Sequence, residues 1–439
     1  MKELNNISPQ EFSQRRKALM DSIGNNAIAI IPSSDIKVRN RDAEFAFRQD
    51  SDFLYLTGFN EPKSVVVLVP GREESEFILF CREKDPKTEQ WTGRMAGLEG
   101  ATRDYNADDA FPIDDIDEIL PSLMESRSKV YYSVGNNPEF DKQVISWVNS
   151  LRAKVRHGVQ APHEFTSLDV FLHEMRLFKS PQEQQLMRDA GAVSVKAHER
   201  AMKVCKPSMM EYEIEAEYLH EFRKSGMEVA YTTIVGGGEW GCILHYIENN
   251  AELKNNELLL IDAGAENQGY ASDITRTFPI NGKFTEPQRQ LYQVVLDAQY
   301  AAIEQAKPGN RWIDPHDAAV RVITTGLVEL GLLEGDIDKL IEDNKYFPFY
   351  MHKTGHWLGL DVHDAGDYKI DDEWRELEPG MTLTVEPGLY ISPSDDVDEK
   401  WWNIGIRIED DVLITETGNE VLTADLIKEV DDIETLMAG

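Results

Sequence analysis

Two apolar segments of this chain each carry an aspartate, and no other feature limits the possible folds as strongly. The segments are LLLIDAGA, with Asp262, and GYASDITRTF, with Asp273. Both read as strands, where aspartate is depleted and costly to bury without a partner. Asn267-Gln268-Gly269 between them is a turn sequence. If a hairpin closes there symmetrically, the two carboxylates face each other with Cβ atoms about 4.5–5.5 Å apart. Anions that close destabilise a fold unless a proton or a cation lies between them. A divalent metal answers that need most directly.

Three further segments supply matching side chains. Glu386 ends the β-branched run TLTVEPGLYI, and Glu409 lies in GIRIEDDVLIT. In the latter, Ile406 and Ile408 alternate with Arg407 and Glu409, so Arg407 and Glu409 share a strand face. YMHKTGHWLGLDVHD holds His352, His356 and His363, three of the ten histidines, beside Gly355, Trp357 and Gly359. Neutral imidazole is a common metal ligand and a proton carrier near pH 7. The four carboxylates with His356 form a hard, oxygen-rich set that suits Mn²⁺, Co²⁺, Fe²⁺ or Mg²⁺ better than a structural thiolate zinc. Two ions about 3.5–4 Å apart would activate a water and polarise a carbonyl. The chemistry implied is metal-assisted hydrolysis.

The 439 residues are enough for two or three domains. AIAIIPSSD, SVVVLVPG, EFILFCREK and KVYYSVG read as buried strands, with helical FSQRRKALMDSI and DDIDEILPSLMESR among them. That alternation predicts an α/β domain over residues 1–174. Ser180-Pro181-x-Glu183 is a helix start. Helices over 181–204, 210–226, 285–306 and 313–332 then interleave with hairpin-like strand pairs, which predicts an α+β domain over 175–439. Two similar hairpin halves fit this layout. A net charge of −34 excludes nucleic acid as a partner, because phosphate neutralisation needs clustered Lys and Arg. There is no run of about 18 apolar residues, so no membrane span is expected. Cys81, Cys205 and Cys242 are too scattered for a disulfide framework, and the N-terminus shows no apolar leader. A cytoplasmic location is expected.

IDAGAENQGYASDITRTFP, HKTGHWLGLDVHD, TVEPGLYI and GIRIEDD resemble the pita-bread metallopeptidases: methionine aminopeptidase, Xaa-Pro aminopeptidase (aminopeptidase P) and prolidase. RQDSDFLYLTGFNEP and HEMRLFKSPQE are similar to the N-terminal domain and linker helix of aminopeptidase P, so the likeness runs nearly full length. The resemblance implies an α/β N-terminal domain and a pita-bread catalytic domain. It implies two divalent metal ions, usually manganese. Asp273, His356, Glu386 and Glu409 would hold one and Asp262, Asp273 and Glu409 the other, with a water or hydroxide between them. Glu386 would also act as general base and then acid. His245 and His363 would contact substrate and steady the tetrahedral intermediate. His352 would line the pocket near the proline, and Arg407 would orient the carboxylates. The expected substrates are peptides with proline in second position. The expected assembly is a homotetramer or homodimer, with Trp91 similar to a tryptophan that reaches a neighbouring subunit in tetrameric relatives. Prolidase activity on Xaa-Pro dipeptides is the alternative, and a non-catalytic pita-bread binding protein is a further one. Completeness of the five ligands speaks against the last.

Overall fold

The buried strands of the N-terminal part are apolar on both faces, and that dictates where helices must go. The structure is a computed structural model that describes residues 7–439. The chain divides into two compact units, one up to Met175 and one from Arg176. In the first, strands β1 (Ala27–Pro32), β2 (Val65–Leu68), β3 (Phe77–Cys81), β4 (Asp109–Pro112), β5 (Lys129–Tyr131) and β6 (Glu164–Thr166) form one sheet in the order β4-β3-β2-β1-β5-β6. The sheet is mixed: β1 runs antiparallel to β2 and parallel to β5. Ile28, Ile30, Val67 and Phe80 pack with Leu120, Val144 and Trp147 from the helices Ile116–Met124 and Pro138–Arg152. Covering helices are what a sheet of such strands requires.

The second unit is built from two bent hairpins and two helix pairs. The strands that position its centre are β7 (Glu228–Val229), β8 (Ile234–Gly237), β9 (Leu258–Asp262), β10 (Ala265–Asn267), β11 (Tyr270–Ala271), β12 (Thr275–Pro279), β13 (Thr382–Val385), β14 (Gly388–Ile391), β15 (Ile404–Arg407) and β16 (Asp410–Thr415). In the first hairpin β9 pairs with β12 and β10 with β11. In the second β13 pairs with β16 and β14 with β15. Each hairpin is therefore one long antiparallel pair interrupted midway. Helices Pro181–Val204 and Glu211–Lys224 pack together, as do Glu286–Gln305 and Asp314–Glu329.

The helix Pro181–Val204 begins in a capping box. Ser180 Oγ accepts from the Glu183 amide (3.3 Å), and Glu183 accepts from the Ser180 amide (2.9 Å). Such caps are worth about 1 kcal/mol. From this helix His198 Nε2 donates to the Ala263 carbonyl (3.2 Å) while the Tyr218 hydroxyl donates to its Nδ1 (2.8 Å). Burial holds the ring down to about 3, so it is neutral and both contacts have fixed direction. They tie the helix pair to the residue following Asp262.

Just upstream lies a buried ion cluster. Arg176 donates to Asp361 and Asp364 (2.5 Å each), and Lys179 donates to Asp364 (3.0 Å). Asp364, Lys179 and Arg176 are all at most 4% exposed at the side chain. The cluster pins the loop that carries His363. Burial would raise the Asp364 carboxyl, but Lys179 and Arg176 outweigh it and hold it below the ordinary range. Asp364→Ala should cost about 3–5 kcal/mol in urea unfolding, because Lys179 stays buried without its partner and Arg176 keeps only the more exposed Asp361. The depressed carboxyl also sets a pH direction. Its contribution is complete above about pH 4, the unfolded value, and falls away as pH drops through the lower folded one. The wild type should therefore lose more stability on acidification than Asp364→Ala does.

Candidate metal centre

All four acidic residues singled out from sequence lie at the interruptions of the two hairpins. Asp262 ends β9 just before the break, and Asp273 lies between β11 and β12. Glu386 lies between β13 and β14, and Glu409 between β15 and β16.

The expected symmetric facing of the aspartates is not what forms. The turn centres on Gln268 and Gly269, both at positive φ (54° and 94°), with Asn267 opposite Tyr270. Asp262 is consequently opposite Thr275, two residues beyond Asp273. The aspartates share a face diagonally, because the turn sits one position later along the chain than the symmetric arrangement needs. Their link is a third side chain: the Tyr231 hydroxyl lies 2.6 Å from Asp262 Oδ1 and 2.5 Å from Asp273 Oδ1. Direct facing belongs to the glutamates. The register that pairs Val385 with Asp410 and Gly388 with Arg407 is the same on both sides of the break, which sets Glu386 opposite Glu409. Like charges in that relation destabilise a hairpin.

The histidine segment joins from the side. Leu358 and Glu386 donate backbone N–H groups to Thr382 and Thr354, and Thr384 to His356, so residues 354–358 lie along β13. A side chain at Gly355 would place Cβ 2.0 Å from the Thr384 carbonyl oxygen, so only glycine permits this approach. Trp357, fully buried, stacks on Tyr368 and packs against Trp312. His356 Nδ1 donates to the Trp357 carbonyl (2.9 Å), which leaves Nε2 facing Asp273 Oδ2 at 3.3 Å and Glu386 Oε1 at 3.8 Å. Asp273, His356 and Glu409 each offer a ligand atom within 4.8 Å of the others.

Arg407 sits behind the carboxylates. It donates to Asp262 Oδ2 (2.6 Å) and to Thr275 Oγ1 (3.0 Å), and the Thr275 hydroxyl donates to Glu409 (2.6 Å). It also donates to the Tyr390 hydroxyl (3.0 Å), which lies 2.9 Å from His352 Nε2. His352 Nδ1 meets the Lys353 carbonyl (2.8 Å), so Nε2 is the acceptor and Tyr390 the donor. His245, His352 and His363 line a cavity of about 400 Å³ with the five candidate ligands, and His363 stands edge-on to His356 at 4.3 Å. Tyr231, Thr275 and Tyr390 were not found from sequence. Their partners lie 17 to 134 residues away, and neither a hydroxyl nor a tyrosine is unusual in an apolar strand.

Charge decides what this set can hold. Four carboxylates face one buried guanidinium. Burial, then the neighbouring acids, pushes the Glu409 carboxyl far above its usual range. Burial likewise raises Asp262, and lifts Glu386 to about 7. His356 is opposed by burial, yet Asp273 and Glu386 push it up to about 9. Each shift brings a proton to a place where negative charge is uncompensated. Divalent cations would satisfy the same deficit, and the oxygen-rich donors fit them. The residues present therefore fit a metal pair.

A sequence profile for metallopeptidase family M24 matches residues 185–416. The chain belongs to metallopeptidase family M24. A second profile, that of the aminopeptidase P N-terminal domain, matches residues 12–131 of this M24 chain. The Xaa-Pro aminopeptidase of Escherichia coli K12 is 46% identical to it, over 99% of both chains. That of Haemophilus influenzae is 45% identical over 98% of both. Among solved structures, Pseudomonas aeruginosa aminopeptidase PepP matches with a TM-score of 0.98 at 55% identity, covering 98% of each chain. A zinc-substituted Escherichia coli aminopeptidase P in complex with product matches with a TM-score of 0.96 at 46% identity, over 99% of each. The M24 unit thus has the pita-bread fold, and the two bent hairpins with their helix pairs are its two halves.

Metal binding should be coupled to stability. Adding Mn²⁺ at about a hundredfold over its dissociation constant to chelator-stripped protein should stabilise it by about 2.7 kcal/mol per site, read as a rise in Tm. Glu409→Gln mimics the protonated acid, so the stripped variant should melt close to the stripped wild type while losing most of the metal-induced rise. A variant that still gains the full rise would remove Glu409 from the centre.

Proposed function

We propose that this chain is an Xaa-Pro aminopeptidase, which hydrolyses the bond between an N-terminal residue and a following proline. One observation carries the reading. Asp262, Asp273, Glu386 and Glu409 from both bent hairpins and His356 from the segment beside β13 converge on one cavity, in a chain that matches a curated Xaa-Pro aminopeptidase over 99% of its length. Asp273, His356, Glu386 and Glu409 would hold one ion and Asp262, Asp273 and Glu409 the other. The preferred metal is manganese, on the hardness of the donors and on the family resemblance. When bound, the ions supply Lewis acidity: they acidify a water and polarise the scissile carbonyl.

The chain's own groups do the rest. Glu386, whose Oε1 lies 3.8 Å from His356 Nε2 on the wall of the cavity, would accept a proton from the attacking water and return it. The destination is the proline nitrogen. Like any amide nitrogen it must gain a proton to leave as an amine. Burial and the adjacent His356 lower His363, which keeps that ring a neutral N–H donor. His363 and His245 flank the cavity where oxyanion charge develops. His352 is held down to about 3, chiefly by burial, and its two ring nitrogens are already engaged. It therefore offers the proline a fixed, uncharged ring surface rather than a proton.

Trp91 is 88% exposed on the short helix Pro86–Thr92, which supports a homotetramer or homodimer as the working form. Light scattering tests this. Among the described residues no helix is long and apolar enough to cross a membrane, and a cytoplasmic location is the reading we adopt.

With Mn²⁺ restored after chelation, Xaa-Pro-Ala tripeptides should be cleaved after the first residue. Cleavage confined to Xaa-Pro dipeptides would replace the proposal with a prolidase. Glu386→Ala should lower kcat by about 10³-fold or more, because ligand and proton carrier go together. His245→Ala should lower kcat by about 10²-fold while metal stoichiometry, read by elemental analysis, stays at two. Loss of bound metal in that variant would move His245 from substrate contact to the centre itself.

A further inference from the structure

Tyr231 lies in the gap between β7 and β8, directly over the break in the aspartate hairpin. β7 pairs with β10, with Val229 opposite Ala265. β8 pairs with β9, with Ile234 opposite Asp262. The chain thus leaves one half of the hairpin and rejoins the other, and the residues between cross the two acids. The path is fixed at both ends. The Ala230 amide donates to the Gly264 carbonyl (2.9 Å), while Asn249 donates to the Thr233 carbonyl (2.9 Å) and accepts from the Val235 amide (3.0 Å). Gly264 leaves room for the ring: a Cβ there would stand 3.2 Å from the Tyr231 ring edge and 1.7 Å from the Ser272 carbonyl oxygen.

The carboxylate oxygens divide their partners in an ordered way. Asp262 Oδ2 takes Arg407, and Asp273 Oδ2 faces His356. Both Oδ1 atoms turn to the same phenol, at 2.6 and 2.5 Å. Arg407 holds Asp262 but not Asp273, and His356 the reverse. Tyr231 is the group that spans both.

We propose that Tyr231 is a positioning residue that sets the spacing of the Asp262 and Asp273 carboxylates, and so selectively governs binding of the ion at the Asp262 end of the metal pair. This rests on the reading of these residues as ligands. The two ends differ in their dependence on the hydroxyl. The ion assigned to Asp273, His356, Glu386 and Glu409 keeps three ligands that Tyr231 does not touch. The ion assigned to Asp262, Asp273 and Glu409 has two of its three ligands on the phenol. Groups that orient ligands in this way change metal affinity by about 10–100-fold when removed.

The test is calorimetric titration of Mn²⁺ into chelator-stripped wild type and Tyr231→Phe, with thermal melts of both stripped proteins. Phe keeps the ring and its packing and deletes only the hydroxyl. The wild type should bind in two steps. In the variant one step should stay within about twofold and the other weaken by about 10–100-fold, with the stripped melting temperature unchanged. Two unaltered steps, two equally weakened steps, or a stripped variant that melts well below the wild type would each overturn selective positioning. A wild type that binds no Mn²⁺ would instead overturn the ligand reading itself, a result visible before any variant is made.

Discussion

Mutual repulsion among four carboxylates, two buried and two partly buried, is the constraint around which the catalytic unit is organised. They lie where strands break, and the breaks are part of the solution. Leaving the ladder frees backbone donors, and a buried donor needs a partner. Each is met by another segment: the Glu386 amide by the Thr354 carbonyl, the Glu409 amide by the Thr275 carbonyl, and the Asp273 amide by the Asp411 carboxylate. These replacements stitch the histidine segment and the two hairpins to one another. The carboxylates can then converge from both hairpins without leaving the backbone unsatisfied. Charge compensation remains incomplete, since Arg407 and the proton gained by His356 face four acids. A pair of divalent ions is the natural completion.

Much of this was legible because acid in an apolar strand is so unfavourable that it demands a reason. Asp262 and Asp273 stand out on that ground, Glu386 and Glu409 join them by occurring together with that pair, and His356 comes from its dense histidine segment. The α/β and α+β character of the two halves followed from the same strand and helix patterns. What failed was register. Centring the hairpin on the midpoint of the two aspartates put them face to face, whereas a turn at Gln268-Gly269 makes them diagonal and gives direct opposition to the glutamates. A one-position difference in a turn decides which residues oppose, and composition does not encode it. Likewise, the strand pattern does not say that TLTVEPGLYI and GIRIEDDVLIT pair with each other along both halves of their length.

The supporting polar groups were invisible for a different reason. Tyr231, Thr275 and Tyr390 are ordinary in a strand-rich sequence, and their importance arises only from partners far along the chain. The Arg176–Lys179–Asp364 cluster joins residues some 185 positions apart. Spacing rules apply within an element or a hairpin. They do not reach across such distances, and the orientation of a metal ligand is largely set there.

Those long-range contacts also connect the two tasks proposed for the site. His352, on the side proposed for proline, accepts from the Tyr390 hydroxyl, which accepts from Arg407, which donates to Asp262. Every direction in that chain is determined, because His352 Nδ1 is bound to a carbonyl and a guanidinium can only donate. Rotation of the His352 ring would therefore cost the Tyr390 bond and loosen the group that steadies an aspartate of the centre. The ring surface proposed for proline and the carboxylate proposed for metal are parts of one hydrogen-bonded array. A side chain chosen to widen the proline pocket at His352 would thus be felt at Asp262, so recognition and metal binding cannot be altered independently through that residue.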